Sequence, residues 1–290
     1  MYGLSWQERY GADKIALFML FVLGLVIARA ISFSRYTGPL KAGRDLVAAA
    51  RAQGLGAYVA RMGEQAHFLV TDKRGRPIGF AAEFSSHETG DPNFSTSLAG
   101  IVHLGAGRSL HRQLTLFESD DAFECFRWRI LTSGVRGDSR IEISRAADGE
   151  IKVTESGRRG TRWWHSSSAV VIPTYVLDLV FDHLLDRDVE RAIIEAVDSQ
   201  GQMVEVVVSR ADHRRSGSSG TEIESVLKVE FLDEQQFSQL VYLDREGKVV
   251  RLEQQRMRFE RVTEEQLLEY FPELAEFILE KKQMLEKEQP

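Results

Sequence analysis

The residues nearest to a catalytic cluster in this sequence are His87-Glu88 and Asp91, which follow a predicted strand. Imidazole and carboxylate groups at this spacing can transfer protons or bind a metal ion. Polar residues in an exposed turn explain the pattern equally well. No two of the seven histidines have the i, i+4 spacing of a zinc protease, and no glycine-rich phosphate loop or serine elbow is present. The sequence therefore predicts no catalytic residue, metal ligand or cofactor, and a hydrolase that uses His87 or His183 is the third interpretation.

A second group of residues suggests binding. Trp163 and Trp164 follow three arginines, Arg158, Arg159 and Arg162. Neighbouring strand residues point to opposite faces, so we expect one tryptophan to enter the core and the other to face outward. An outward tryptophan beside arginines can hold an anionic lipid headgroup or anchor a partner protein. Two packing aromatics beside solvated arginines are the alternative.

Three acidic residues, Asp178, Asp182 and Asp186, recur every four positions in a predicted helix. Repulsion between like charges at this spacing costs only a few tenths of a kcal/mol. The pattern therefore predicts a solvated helix face, and a basic partner surface is the remaining possibility.

The composition excludes several classes of protein. The chain has 290 residues and a net charge of −6, which argues against a broad nucleic-acid surface. Its single cysteine, Cys125, excludes an intramolecular disulfide and a cysteine-rich zinc site. Because Cys125 lies in an apolar and aromatic stretch, we expect a small buried hydrophobe.

Residues 15–34 form the most hydrophobic stretch of the chain. Ile15 to Ala28 is an unbroken run of apolar residues with one glycine, and Arg29 is the one charged residue of the stretch. A membrane-spanning helix needs roughly 20 apolar residues, and a signal peptide needs about 7–15. We expect an uncleaved membrane anchor over residues 1–35. A cleaved signal peptide, with Ala28-Arg29-Ala30 as the cleavage site, and a buried core helix are the alternatives.

Strand patterns dominate the middle of the chain. A linker and a short helix are predicted for residues 36–54, with Gly54 ending the helix, and a sheet domain for residues 55–262. Short strands are expected over 57–62 and 66–71, and strict alternation predicts a half-buried strand over 78–84. The Asp148-Gly149 pair indicates a hairpin, which joins antiparallel strands.

Helical patterns interrupt and follow these strands. Pro173 begins a predicted helix whose apolar stripe reaches Leu185. The last predicted hairpin combines residues 240–243 with a single strand over 249–259. A helical tail is predicted over 263–290, where Thr263 and Gln266 form a capping box.

The segment from Ile172 to Glu253, with its proline-led helix and the hairpin Val241-Tyr242-Leu243-Asp244-Arg245-Glu246-Gly247-Lys248-Val249, resembles envelope families of the LolA and RseB types. Residues 55–262 share in this resemblance. It implies an α+β fold in which a large, curved antiparallel β-sheet carries a helix on its concave face. The N-terminal transmembrane helix and the C-terminal helical tail are additions to that family pattern.

The resemblance also implies a function. It suggests a non-enzymatic protein that binds a hydrophobic ligand (a lipid or acyl chain) or a partner protein through its open sheet. The alternative is an accessory or scaffold subunit of a membrane complex. The expected lining of the concave surface is Phe80, Phe84, Phe126, Trp128, Val206 and Val229.

The orientation of the anchor rests on conflicting features. The basic residues that follow residues 15–34 outnumber those that precede it, which would keep the body in the cytoplasm. The layout of an export signal and the envelope-type fold favour the opposite side. We therefore predict a single-pass protein of the inner (cytoplasmic) membrane with a periplasmic body, and no nucleic-acid partner.

Overall fold

A computed structural model describes most of the chain between residues 36 and 272. The described ranges are 36–63, 65–87, 93–106, 109–134, 137–156, 161–165, 170–211, 223–232 and 237–272, with residues 21, 23, 25 and 29. Most of the predicted anchor, 15–34, and the tail beyond 272 lie outside them. Among the described residues, no helix combines the length and hydrophobicity that a membrane crossing requires.

The described residues form one sheet of fifteen strands. The strands are β1 Gln65–Asp72, β2 Pro77–Ser86, β3 Thr96–Ala106, β4 Ser109–Ser119, β5 Phe126–Gly134, β6 Ser139–Arg145, β7 Glu150–Glu155, β8 Thr161–His165, β9 Ile172–Pro173, β10 Arg191–Val197, β11 Met203–Arg210, β12 Ser225–Phe231, β13 Ser238–Leu243, β14 Val249–Gln254 and β15 Met257–Val262. The helices are α1 over residues 36–53, α2 Leu55–Met62, α3 Asp178–Asp186 and α4 Glu264–Tyr270.

Two antiparallel meanders make up the sheet. Strands β1 to β8 form the first and β10 to β15 the second, and β1 pairs with β15 to join them. The one parallel pair of the described sheet is the short contact between β9 and β10. The predicted large antiparallel sheet is confirmed, and its end strands, β8 and β9, are not paired with each other.

The sheet curves until its distant strands meet. The turn between β10 and β11 contains Gly201, whose φ is +71°. A Cβ there would lie 2.5 Å from a methyl group of Val153 on β7. The second meander therefore folds back onto the first, and the space between them is filled by apolar side chains of α1, α2 and α3.

Helix α1 packs unusually close to β10. A Cβ at Gly43 would overlap the carbonyl oxygen of Ile193, so glycine is the residue that allows this approach. Leu46 and Val47 are fully buried on the same side of the helix. Arg44 adds an ion pair with Glu195 at 3.3 Å. The predicted helix before Gly54 is confirmed, and it belongs to the body of the protein. The helix already includes residues 36–39, so the predicted linker there is wrong.

The outer face of the sheet carries a second, smaller core. Helix α4 inserts the fully buried Leu267 against Leu69 of β1 and Phe80 of β2. The predicted capping box starts this helix, since Gln266 N–H donates to the Thr263 hydroxyl and the Gln266 side chain accepts from Thr263 N–H. The helical start of the predicted tail is thus confirmed as far as residue 270.

Two predicted strands are wrong. Residues 57–62 belong to α2, because Leu55, Tyr58 and Val59 are buried at helical spacing and Asp121 accepts from the N–H of Gly56 at 2.7 Å in its first turn. The single strand over 249–259 is two strands, since the chain reverses at Gln255, whose φ is +45°.

Candidate functional site

Four of the six predicted lining residues meet in the main core. Phe126, Trp128, Val206 and Val229 are at most 3% exposed and contact the apolar side chains that fill the concave face. Phe80 and Phe84 belong to the second core, beneath α4. The register explains the separation, because Phe84 pairs with Ala99 whereas Phe117 of the main core pairs with the adjacent Leu98. Adjacent strand residues point to opposite faces.

Three of the five predicted contact residues lie on the strand at one end of the sheet. Arg158 and Arg159 fall outside the described residues. Strand β8 contains Arg162, Trp163 and Trp164. In its pairing with β7, Trp164 is opposite Ile151, Trp163 is opposite Lys152 and Arg162 is opposite Val153.

The predicted histidine cluster is only partly described, because Glu88 and Asp91 fall outside the described residues. His87 is exposed, and its Nδ1 lies 3.3 Å from the hydroxyl of Thr96. Burial lowers the pKa of His183, which favours its neutral form. Within the described ranges, no group of three or more His, Cys, Asp or Glu side chains is arranged to hold a metal ion.

A group of polar side chains lies between the helices and the sheet. A cavity of about 60 Å³ is bounded by α2, the start of α3 and strands β1, β2, β3 and β15. Its polar lining comprises Tyr58, Glu83, Tyr175, Asp178 and Arg261. Gly63 and Ser85 also border it, and exposed Gly63 marks its solvent side. We refer to this site as the inner cavity.

Two side-chain bonds between α2 and α3 form one wall of the inner cavity. The Tyr58 hydroxyl donates to the Asp178 carboxylate, and the Arg61 guanidinium pairs with Asp182. The β13–β14 turn closes over the second pair, because a Cβ at Gly247 would overlap an Asp182 oxygen. The prediction of a solvated acidic face is therefore wrong for Asp178 and Asp182, and it holds for exposed Asp186.

The sheet contributes one acidic and one basic side chain, Glu83 and Arg261, to the lining of the same cavity. Glu83 stands on the concave face of β2, next to Ala66 of β1 and Gly100 of β3. Arg261 stands on β15 opposite Phe68. The Glu83 side chain is exposed to solvent where it borders the cavity. Within the described part of the chain, its carboxyl has no hydrogen-bond partner.

Burial governs the protonation of these groups. It raises the pKa of Asp178 from its ordinary 3.8 to about 7, against the opposing effect of backbone hydrogen bonds. It also raises the pKa of Glu83, which the charge of Arg261 lowers in part. Burial and the nearby Glu83 raise the pKa of Tyr175 well above 10, so its hydroxyl stays protonated. The cavity thus holds two carboxyls that can bind or release a proton and a phenol that can donate a hydrogen bond.

Sequence reasoning missed the inner cavity for a specific reason. Glu83 alternates with the apolar side of β2 and follows Gly79 and Ala81 on its own face, a pattern typical of a solvent-facing edge. The small residues instead leave room beneath the helices: a Cβ at Gly100 would lie 2.9 Å from the Tyr175 hydroxyl. An acid among small residues on one face of β2 was the local signal.

Comparison with known proteins supports the fold. Neither a protein-family model nor a curated protein matches this chain. The chain resembles a solved β-barrel-like protein of the domain of unknown function DUF1849 from Brucella abortus. That similarity has a TM-score of 0.50 at 13% identity and covers 69% of this chain and 95% of the other. It shows a shared barrel-like sheet architecture and nothing about activity.

Two more distant similarities carry no argument. A DUF1089 family protein from Pseudomonas aeruginosa gives a TM-score of 0.33 at 11% identity, covering 58% of this chain and 87% of that chain. A DUF1329 family protein from Desulfovibrio piger ATCC 29098 gives a TM-score of 0.18 at 10% identity, covering 78% of this chain and 92% of that chain.

Proposed function

We propose that this chain is a non-enzymatic, membrane-tethered envelope protein whose sheet body acts as an accessory or scaffold subunit and docks partner proteins outside the cytoplasm. The observation that carries the proposal is the filling of the concave face. Pockets for drug-sized ligands measure roughly 300–1,000 Å³. The cavity between helices and sheet measures about 60 Å³, which is too small for an acyl chain.

The proposal keeps the architecture of the LolA and RseB types but not an internal lipid. In this account the open antiparallel sheet wraps around helices as in those families. In this protein α1, α2 and α3 make the apolar contacts that a bound acyl chain would make in a lipid carrier. Leu46, Leu55 and Leu184, all fully buried, are examples. In this proposal the body therefore binds its partner proteins through its outer surface.

The N-terminal helical residues support the tether. Phe21, Leu23 and Leu25 are helical, and their exposed fractions are 63%, 53% and 55%. Removing a Phe or Leu side chain from water contributes about 1.5–3 kcal/mol. Three such residues outside the body favour insertion into a bilayer, with residues 15–34 as the membrane segment.

A fractionation experiment tests the tether. The variant Phe21→Ser, Leu23→Ser, Leu25→Ser removes the exposed apolar side chains, and Leu232→Ser is the control because Leu232 is 52% exposed on the body. We expect the wild type and the control to remain with the membrane after carbonate extraction and the triple variant to be released. Retention of the triple variant would contradict the tether.

A photo-crosslinking experiment separates a scaffold from a lipid carrier. Cells are grown with a photoactivatable fatty acid and irradiated, and the labelled peptides are identified by mass spectrometry. We expect label on residues 15–34. Label on the peptides that contain Trp128 or Val206 would show lipid inside the body and would overturn the scaffold proposal.

A further inference from the structure

We infer that the end of the sheet from which the anchor leaves docks on an anionic phospholipid surface through cations in its turns. The inference rests on the tether proposed above and adds a second membrane contact, made by the body itself. It is carried by the topology of the sheet, by the distribution of charge between its two ends, and by apolar side chains exposed beside the cations.

Helix α1 connects the predicted membrane segment to one end of the sheet. Residue 35 alone separates residues 15–34 from Tyr36, the first residue of α1. The Tyr36 hydroxyl donates to Glu205, which lies near the start of β11. The helix ends at residue 53, and Leu55 N–H then donates to the carbonyl of Asp121, in the turn after β4. That turn lies at the opposite end of the sheet, so the anchor leaves the body where β11 begins.

The turn before β11 lies at the same end as every second turn of the two meanders, because neighbouring strands are antiparallel. The pairing of Asp72 with Met257 and of Gln239 with Gln254 places three more turns beside it. We refer to the described residues of these four turns as the anchor-side rim. It comprises residues 73–76, 198–202 and 255–256, with Leu232 and Phe237 of the β12–β13 turn.

The anchor-side rim carries cations that lack a carboxylate partner. Lys73, Arg74 and Arg256 are exposed, and within the described part of the chain none of them forms an ion pair. Asp198 is the one carboxylate of the rim as defined, and it accepts the N–H groups of its own turn. Asp233 and Glu234 of the β12–β13 turn fall outside the described residues. With Arg76 and these carboxylates counted, the four turns hold four cations and three acids.

The opposite end of the sheet has the reverse balance. Its turns after β4, β6 and β13 contain six acids and two cations, namely Asp120, Asp121, Glu124, Asp148, Asp244, Glu246, Arg245 and Lys248. A chain with a net charge of −6 therefore keeps a positive end on the side of its anchor. An anionic surface attracts that end and repels the other, and this difference orients the body.

A groove in the anchor-side rim has the size and lining that a headgroup requires. It measures about 630 Å³, and its lining includes Lys73, Arg256 and the ring of Phe237. The two carboxylates that border it are occupied, since Asp72 pairs with Arg76 at 2.6 Å and Glu253 pairs with Arg258 at 3.1 Å. Lys73 and Arg256 can therefore pair with phosphate oxygens.

Two apolar side chains stand beside these cations, next to the start of α1. Leu232 is 52% exposed and Tyr36 is 42% exposed. Both contact Glu205, because Leu232 N–H donates to its carbonyl at 2.8 Å and the Tyr36 hydroxyl to its carboxylate. Tyrosine and exposed leucine suit the interfacial layer of a bilayer. Leu232→Ser removes only this contact and leaves the anchor, so the chain still stays with the membrane in carbonate.

Fluorescence quenching of the full chain in lipid nanodiscs tests the docking. Cys125→Ala removes the native thiol, and an NBD label is placed on Ser238→Cys, since exposed Ser238 borders the rim groove. The matched probe at the opposite end is Ala147→Cys, exposed in the β6–β7 turn. The quencher is a lipid with a spin-labelled headgroup, in phosphatidylcholine with or without about 30% phosphatidylglycerol. We expect at least about twofold stronger quenching of the rim probe with phosphatidylglycerol, and no quenching of the control probe.

Charge variants establish which side chains make the contact. Lys73→Gln, Arg74→Gln, Arg256→Gln should reduce the quenching to its value in phosphatidylcholine, as should about 0.5 M NaCl. The matched variant Arg187→Gln, Arg191→Gln, Arg245→Gln removes three exposed cations at the other end and should quench like the wild type. Urea unfolding of both variants establishes that the fold is intact.

A third probe separates this inference from the tether. An NBD label on Leu23→Cys, within residues 15–34, should be quenched by acyl-chain spin labels in either lipid. Quenching at position 23 without quenching at position 238 would overturn the docking and leave the tether intact. Quenching at position 238 that is equal in both lipids and unchanged in the rim variant would also overturn it. Loss of quenching at position 23 would overturn both proposals.

Discussion

Asp178 occupies an environment that opposes its negative charge. It begins α3 beneath α2, and burial raises its pKa from 3.8 to about 7. As the pH rises above 3.8, the unfolded chain loses this proton first, while the folded chain keeps it until about pH 7. The folded state is therefore increasingly disfavoured between about pH 4 and pH 7, and this penalty stays constant at higher pH.

Replacing Asp178 by asparagine should remove this penalty. One pKa unit corresponds to 1.36 kcal/mol, so Asp178→Asn should gain roughly 2–4 kcal/mol over the wild type between pH 4 and pH 8. Urea denaturation across this range measures the gain. Asp186→Asn is the control, since Asp186 is exposed on the same helix. A difference between Asp178→Asn and the wild type that does not change with pH would contradict the account.

The same residues mark what the sequence could reveal about the site. Spacing alone placed Asp178, Asp182 and Asp186 on one helix face, and that geometry is correct. Whether the face meets solvent depends on Tyr58 and Arg61 of α2, about 120 positions earlier in the chain. No local pattern contains that information, so the inner cavity could not be predicted.

Helix α1 depends on close contact with β10. At Gly43 the helix backbone approaches the Ile193 carbonyl so closely that any side chain would force the two apart. Because α1 also carries buried Leu46 and Val47, a displacement there disturbs the main core.

Gly43→Ala should lower the free energy of unfolding by about 1–3 kcal/mol, the usual cost of overpacking. Gly38→Ala is a matched control in the same helix, because a Cβ at Gly38 has nothing within 4 Å. It should change stability by less than about 1 kcal/mol. Equal effects of the two substitutions in chemical denaturation would refute the close-contact interpretation.

Helix α4 is held at its start by the capping box. The Thr263 hydroxyl accepts from Gln266 N–H, so Thr263→Ala should destabilise the helix by about 1 kcal/mol. Thr263→Ser keeps the hydroxyl and should behave like the wild type. Hydrogen exchange of the Gln266 and Leu267 amides measures the effect. Unchanged protection in Thr263→Ala would mean that packing of Leu267 alone holds the helix.

Elements with a local signature were predictable, and those set by distant contacts were not. Asp148-Gly149 turns β6 into β7 as its sequence predicts, and Gly149 has the positive φ that such a turn requires. Gln255 turns β14 into β15 without glycine or asparagine, so the turn left no signal. Helix α2 was read as a strand because eight residues are short enough for either structure.

At the largest scale, the described part of the chain is one sheet whose halves share a core. The main apolar cluster draws on β4 to β7 of the first meander and on β10 to β13 of the second, with α1 to α3 between them. Neither half can bury its apolar face alone, so both should lose protection together.

Hydrogen exchange in increasing urea tests this coupling. Peptides from β5 to β7 and from β10 to β12 should become exchangeable over the same urea range. Peptides from α4 can open earlier, since α4 covers only the smaller outer core. Loss of one meander while the other keeps its protection would contradict a shared core.

The central claim is that residues 15–34 hold this body on the outer side of the cytoplasmic membrane. Protease treatment of spheroplasts, followed by detection of the body with an antibody, tests it most directly, with a cytoplasmic protein as the integrity control. The account predicts that the body is digested in intact spheroplasts while the cytoplasmic control survives. Protection of the body until the membrane is permeabilised would contradict the account.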